Sequence, residues 1–159
     1  MKGSNLVLVL LQAYFMLMNF TVERNYCHGP LKPDDSRFLM KEAYDFSIDN
    51  NPLFLSRPEW IRLATCVSAY GFCGFYFLIA ITALTDAWAG PMRLPIVLFI
   101  GGKAYAVFFY HLMEFSHETL APKNLVPYFV AEGPYIVGMA GVMLKCAYAS
   151  SATNKAKSA

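Results

Sequence analysis

The segment RLPIVLFIGGKAYAVFFYHLME, from Arg93 to Glu114, decides how the chain is arranged. It contains two uncharged apolar runs that are separated by one lysine, Lys103. As a helix, the segment is long enough to cross a hydrocarbon layer about 30 Å thick. Lys103 would then lie near the middle of the membrane, where an unpaired charge costs at least about 2.5–3.5 kcal/mol. The segment therefore predicts a membrane span and a polar environment for its lysine inside the protein.

The composition of the whole chain also favours a membrane protein. Of its 159 residues, 57% are hydrophobic and 16% are aromatic, whereas soluble chains are about 45–50% apolar. The net charge is +2 and no basic cluster indicates a nucleic-acid partner. The four cysteines show neither a CxxC motif nor metal-ligand spacing, and they fix no redox compartment. Cys66 and Cys73 are predicted to be buried thiols.

Three further apolar segments predict three more spans. The spans are expected at residues 6–22, 61–84, 94–113 and 125–148, followed by a polar tail at 149–159. No small-residue cleavage site follows the first segment, which favours a retained span over a signal peptide. The fourth segment is interrupted by Glu132-Gly133-Pro134-Tyr135. Because the later connections are short, the expected fold is a single all-α domain, an antiparallel four-helix bundle in the membrane.

The polar connection between the first two spans predicts a short amphipathic segment. Asp34-Asp35-Ser36 could start a helix. Four apolar residues are spaced to lie against the membrane surface: Phe38, Leu39, Tyr44 and Phe46. A turn is expected at residues 50–53, because the residue before a proline is disfavoured in a helix. Residues 57–60, with Pro58, are then expected to form the first turn of the next helix.

Small residues recur at three- and four-residue steps along the second span: Ala64, Ser68, Gly71 and Gly74. Such a face allows close packing of helices in a membrane. The second span is therefore expected to pack closely through this face.

Glu132 is the predicted partner of Lys103. Both residues lie about 10–15 Å from the same end of their spans, at 1.5 Å per residue. Val107, His111 and Glu114 share a helix face with Lys103, so a polar stripe is expected to face the bundle interior. Three interpretations stay open. The stripe could provide a structural Lys103–Glu132 ion pair, the polar end of a ligand cavity, or an acid or base for catalysis.

His111, Glu114 and His117 form an HxxExxH pattern. Steps of three residues spread these groups around the helix, and no second cluster completes a metal site. The pattern predicts a polar cap at the membrane interface. Neither a metal nor a haem is expected.

The order of features resembles the EXPERA family, which includes the sigma-2 receptor and the emopamil-binding sterol isomerases. The resemblance extends from Tyr14 to Tyr148. Its motifs are Asn51-Pro52-Leu53-Phe54 followed by Trp60, Leu94-Pro95-Ile96, Gly133-Pro134-Tyr135, and Glu23 near a position where the family often carries an acid. It implies a four-helix bundle around an apolar cavity that accepts sterols or cationic amphiphiles.

This chain also departs from the family pattern. Ser68 stands where the family has a glutamate in the second span, and the histidine–glutamate pair of the isomerases is missing. Lys103 places a positive charge where a cationic ligand would bind, and like charges repel strongly at low dielectric constant. The resemblance therefore implies the fold more than an enzymatic activity.

The leading hypothesis is a non-catalytic EXPERA-type protein, an accessory subunit of a larger membrane complex that encloses a lipid. The expected cavity residues are Glu23, Ser68, Lys103, Glu132 and Tyr135, with no catalytic residue and no cofactor other than a bound lipid or sterol. One alternative is a stand-alone sterol- or lipid-binding protein. Another is a sterol double-bond isomerase using Glu132, Glu23 or His111. The endoplasmic reticulum and the mitochondrial inner membrane both fit.

Overall fold

The computed structural model describes the backbone of residues 3–158 and the side chains of residues 3–149. Over this range the chain forms helices, turns and loops without a β-strand, which confirms the all-α prediction. The helices are α1 (Gly3–His28), α2 (Met40–Asn50), α3 (Pro52–Ser56), α4 (Glu59–Thr85), α5 (Arg93–Phe115) and α6 (Leu125–Ser158). In the described range, α1, α4, α5 and residues 125–149 of α6 are long and apolar enough to cross a membrane. The protein is therefore described as an integral membrane protein.

The four long helices form a ring in which each helix packs against two neighbours. α1 contacts α4, α4 contacts α5, α5 contacts α6, and α6 contacts α1. The helices alternate in direction, as the antiparallel prediction requires. Residues 29–58 and 116–124 connect helices at one end, which we call the cavity side. Residues 86–92 connect α4 to α5 at the opposite end, the turn side, where Lys145 Nζ donates to Ser4 Oγ at 2.7 Å.

In the half of the bundle nearer the turn side, the four long helices contact one another through buried side chains, and a second cavity of about 820 Å³ lies between α1, α6 and residues 86–92. Phe15, Tyr76, Ile96 and Val142, from the four different long helices, are almost completely buried. A Cβ atom added at Gly138 would lie 3.1 Å from the Phe15 ring. Glycine therefore allows the close approach of α1 and α6 in this half.

The small residues of the second span have a different role from the predicted one. Ala64 and Ser68 line a cavity, and no atom lies within 4 Å of a Cβ built on Gly71 or Gly74. Gly71 and Gly74 are exposed on the outside of the ring, so this face is not used for packing within the bundle. Close packing of the face against another helix stays a prediction.

α1 is longer than the predicted first span. It continues through residues that were predicted to be a polar connection and ends at His28. Tyr26 explains the extension: its ring stacks on Phe54 at 4.0 Å between centroids, and its hydroxyl donates to the Phe54 carbonyl at 2.7 Å. Glu23 consequently lies inside a helix, about 8 Å from its end at 1.5 Å per residue.

The amphipathic helix of the connection begins later than predicted, at Met40. Asp35 accepts a hydrogen bond from the Arg37 backbone N–H at 3.1 Å and pairs with the Arg37 guanidinium, so this segment forms a turn. Leu39 then adopts a left-handed conformation with φ 63°. The predicted break before α3 and the start of α4 after Pro58 are confirmed.

α6 is continuous across the predicted interruption at residues 132–135, and Pro134 lies inside the helix. The prediction that the fourth span is interrupted was therefore wrong, because the backbone stays helical through these residues. The predicted polar tail also begins as a continuation of α6, whose backbone is helical to Ser158. The side chains of the tail from residue 150 onward lie outside the described residues.

Candidate ligand-binding site

A cavity of about 410 Å³ lies among the long helices in the half nearer the cavity side. Its volume falls within the range of ligand pockets, about 300–1,000 Å³. All five residues that the sequence predicted for a ligand site line this one cavity: Glu23, Ser68, Lys103, Glu132 and Tyr135. They come from all four long helices. The fold therefore brings the predicted site residues together.

The rest of the cavity wall is mainly apolar. Met18, Val22, Phe72, Ala106 and Val107 provide much of the surface between the polar groups. The wall can therefore accommodate an apolar molecule. Further polar side chains also line it: Tyr14, Glu42, Ser47, Asn51, Thr65 and Tyr110.

α2 and α3 complete the cavity at the membrane surface. Leu39, Ala43 and Phe46 line it from the segment that includes α2. Asn51, just before α3, exchanges hydrogen bonds with the hydroxyl of Tyr110 on α5, at 2.7 and 3.0 Å. The connection between the first two spans thus forms a roof over the cavity.

Two π-helical turns position the polar residues of α1 and α4. They cover Asn19–Glu23 and Ser68–Phe72, and they contact each other. π-helical turns inside α-helices frequently occur at functional sites. Here one turn carries Glu23 and the other carries Ser68, so both side chains line the cavity.

Asn19 links these two turns and was not predicted as a site residue. Its side-chain amide donates to Glu23 Oε2 at 2.5 Å and to Ser68 Oγ at 3.3 Å. Asn19 is fully buried in the middle of an apolar helix. A polar residue four positions before Glu23 was the only sequence signal for this role.

Lys103 is enclosed by aromatic rings. Its Nζ lies 4.3–5.9 Å from the centroids of four rings: Phe15, Phe72, Tyr76 and Tyr135. It also donates a hydrogen bond to the Tyr76 hydroxyl. Ring faces attract cations, and the attraction is strongest where water is excluded. This aromatic cage explains how a lysine that is 5% exposed is accommodated in the middle of a span.

The predicted direct ion pair between Lys103 and Glu132 does not form. Among the described residues, no carboxylate oxygen lies within 4.0 Å of Lys103 Nζ. Glu132 and Glu23 line the same cavity as Lys103 without pairing with it. The physical reason is geometric: the lysine side chain ends between the Tyr76 hydroxyl on α4 and the Tyr135 ring on α6 and does not reach the Glu132 carboxylate. Sequence spacing gave no signal for Tyr76.

The polar stripe of the third span divides into two groups. Lys103 and Val107 line the cavity, but His111 and Glu114 do not. Tyr128 donates to Glu114, which is fully buried, and pairs with His111 Nδ1 at 2.6 Å. These contacts join α5 to α6 outside the cavity. The predicted inward direction is correct for Lys103 and Glu114, but the stripe does not form one continuous site.

His117 lies beyond the end of α5 and does not share a site with His111 and Glu114. Its Nδ1 accepts from the Leu120 backbone N–H at 3.3 Å, within the loop to α6. In the described part of the chain, no group of three or more His, Cys, Asp or Glu side chains could hold a metal ion. The HxxExxH residues therefore have separate local contacts.

Cys66 forms a disulfide with Cys27, so the prediction of a buried thiol was wrong for this residue. The Cα atoms are 5.3 Å apart and the cysteines are separated by 39 positions. Cys73 is a free thiol, as predicted, but it is only partly buried. The disulfide joins α1 to α4 beside the cavity, and the chain between its cysteines includes α2 and α3. It therefore fastens both ends of the roof segment.

Comparisons with protein-family models, curated proteins and solved structures found no match for this chain.

Proposed function

We propose that this chain is a non-catalytic EXPERA-type membrane protein that holds one lipid or sterol-like molecule in its central cavity. The observation that carries the proposal is the convergence of five polar residues from four helices on one mainly apolar cavity. Ligand sites characteristically combine an apolar wall with a few convergent polar groups. The observed four-helix bundle also agrees with the fold that the EXPERA resemblance implies.

The aromatic cage favours a neutral ligand over a cationic one. In cation-binding sites, aromatic rings surround the cation of the ligand. Here the Nζ of Lys103 already occupies that position among Phe15, Tyr76 and Tyr135. A second cation would be repelled by the lysine. We infer that the ligand has an apolar body and an uncharged polar group, such as a hydroxyl, which can pair with Glu23 or Glu132.

The test is to purify the full chain in a mild detergent from its own membrane and to identify the lipids that it retains by mass spectrometry. Glu132→Gln should lower the retention of the ligand while the protein stays folded, because Glu132 lines the cavity. Glu118→Gln is the control, since Glu118 is exposed on the loop between α5 and α6. A folded wild-type protein without any retained lipid would contradict the proposal.

The isomerase alternative has less support from the geometry. Sterol double-bond isomerisation needs a proton donor and a proton acceptor near two carbons of the bound ring system. His111, one of its three candidates, pairs with Tyr128 and does not line the cavity. Only Glu23 and Glu132 remain as candidates there. An unchanged sterol profile after deletion of the gene would dispose of this alternative.

A role as an accessory subunit of a larger complex is the second candidate function. The observation that favours it is the outward direction of Gly71 and Gly74 on α4, which leaves a narrow face for a helix from another chain. The mass of the gently extracted native particle tests this role. A particle much heavier than one 17.8 kDa chain, which dissociates in a Gly71→Leu variant, would support it. A monomer of unchanged mass would contradict it.

We also propose that the cavity side faces an oxidising compartment. The Cys27–Cys66 disulfide lies near that side, and disulfides persist mainly in oxidising surroundings. The lumen of the endoplasmic reticulum and the mitochondrial intermembrane space both meet this condition. A thiol reagent that cannot cross membranes should label Cys27 in intact organelles or vesicles only after reduction and only from that side.

A further inference from the structure

Arg24 lies at the outer surface of the bundle, near the end of α1. It is about 6 Å from that end at 1.5 Å per residue. Its guanidinium carbon is 4.1 Å from the centroid of the Phe20 ring and 5.2 Å from that of the Tyr70 ring on α4. The Tyr70 hydroxyl is also 2.7 Å from His28 Nε2. The rings of Phe20 and Tyr70 therefore flank the guanidinium at the junction of α1 and α4, and His28 is paired with the Tyr70 hydroxyl.

Arg24 differs from the other four arginines of the chain. Arg37 pairs with Asp35 and Arg62 with Glu59, while Arg57 and Arg93 donate to backbone carbonyls. Arg24 has neither a hydrogen bond nor an ion pair among the described residues, and its Nε is buried without an acceptor. A buried donor without a partner is costly. An anion bound to Arg24 would remove this cost.

The position of Arg24 matches the headgroup region of a bilayer. α1 has 26 residues, which correspond to about 39 Å at 1.5 Å per residue. The hydrocarbon core is about 30 Å thick, so α1 exceeds it by about 9 Å, more than the roughly 6 Å between Arg24 and the end of the helix. Phe20 and Tyr70 are half exposed on the surface that would face lipid. They can contact acyl chains directly beside the guanidinium.

We propose that Arg24, with His28 and Tyr70, binds the phosphate of one anionic phospholipid of the leaflet on the cavity side. A guanidinium can donate two parallel hydrogen bonds to a phosphate. The two flanking rings favour a lipid over a free anion, because they offer apolar surface where its acyl chains begin. The site is distinct from the central cavity: the neighbouring Glu23 lines the cavity, whereas Arg24 does not.

The experiment uses the full chain in nanodiscs that contain phosphatidylglycerol and phosphatidylcholine with identical acyl chains. Native mass spectrometry after release measures how many molecules of each lipid remain bound. The wild type should retain one phosphatidylglycerol in preference to phosphatidylcholine. Arg24→Gln should reduce this preference about tenfold, because it removes a charge-assisted pair. Equal preference in Arg24→Gln and the wild type would overturn the proposal.

Arg62→Gln is the matched control. Arg62 lies near the same membrane surface and carries the same charge, but it already pairs with Glu59. This variant should keep the preference of the wild type. A similar loss in both variants would indicate general attraction by surface charge and would overturn the assignment to Arg24.

Two further arms keep the proposal testable. If Arg24→Gln does not fold, Arg24→Lys replaces it, because lysine keeps the charge but lacks Nε and the planar fork. Retention should then fall several-fold, and unchanged retention would overturn the proposal. Inorganic phosphate is added in the last arm. If phosphate alone displaces phosphatidylglycerol, the site is one for a free anion and the assignment to a lipid fails.

Discussion

The two halves of this bundle are built from the same four helices but pack in different ways. Near the turn side, Gly138 brings α6 against Phe15 of α1, and buried apolar side chains fill the interior. Near the cavity side, π-helical turns interrupt α1 and α4, and the interior is a cavity with polar groups. The comparison teaches that one membrane bundle can combine a half whose helices meet through apolar side chains with a half whose interior holds polar groups around a cavity.

Lys103 lies where the two halves meet. Phe15 and Tyr76, which contact its ammonium group, belong to the packed core, whereas Tyr135 also lines the cavity. The lysine therefore contacts side chains of the half nearer the turn side, called the packed half, and faces the half that contains the central cavity, called the open half. Substitutions in each half and at Lys103 can therefore test whether the two halves differ in packing.

The largest expected effect concerns the disulfide of the open half. Replacing Cys27 and Cys66 by alanine should lower the free energy of unfolding by about 3–4 kcal/mol, because a loop of this length then gains freedom in the unfolded chain. The roof segment should also become accessible to proteases. Thermal unfolding in detergent measures the first effect. Cys73→Ala is the control, because Cys73 is a free thiol; equal losses in both variants would contradict the prediction.

The next effect concerns the packed half. Gly138→Leu should lower the free energy of unfolding by about 1–3 kcal/mol, the usual cost of overpacking, since Phe15 is buried and lies in the way. Gly133→Leu on the same helix is the control, because no atom lies within 4 Å of its added Cβ. If both variants unfold at the same temperature, the two halves do not differ in packing as described.

Lys103→Met tests the boundary between the halves. Methionine should leave the fold intact, because replacing a buried charge with an apolar side chain is often neutral or stabilising. The vacated aromatic cage should then bind a cationic amphiphile about thirtyfold more tightly, given a cation–π attraction of about 2 kcal/mol in a desolvated site. Binding is measured by titration of the purified protein. Lys145→Met, on the turn side, should not change the affinity, and weaker binding to Lys103→Met would disprove the role of the cage.

The smallest expected effect lies at the surface of the open half. The Arg37 guanidinium beside Asp35 lowers the pKa of that carboxyl group from 3.8 to about 2. Because the folded value is below the unfolded one, the pair stabilises the protein fully above about pH 4 and loses this contribution as the pH falls towards 2. Asp35→Asn should remove this dependence and change little near neutral pH, since exposed pairs are weak. Unfolding midpoints across this pH range check it, and parallel curves for both proteins would contradict it.

Part of the candidate site could be read from the sequence. Glu23, Ser68, Lys103, Glu132 and Tyr135 were all predicted, and all line one cavity. Polar residues in apolar spans are costly unless they face the interior, so their inward direction follows from composition and helix periodicity. The contacts of Asn19 with Ser68 and of Tyr76 with Lys103 could not be predicted, because they join residues on different helices.

The sequence by itself determined the four spans and the all-α class, because in hydrocarbon every backbone polar group must be satisfied within the segment and a helix must be long enough to cross. Only the tertiary structure decided that Lys103 lies in an aromatic cage instead of pairing with Glu132, and that Cys27 reaches Cys66. The physical reason is rotation. Each π-helical turn shifts the helical register of the residues beyond it. The side chains that meet across the bundle therefore depend on the rotation of each helix about its own axis. Hydropathy and residue spacing along one helix do not encode this rotation.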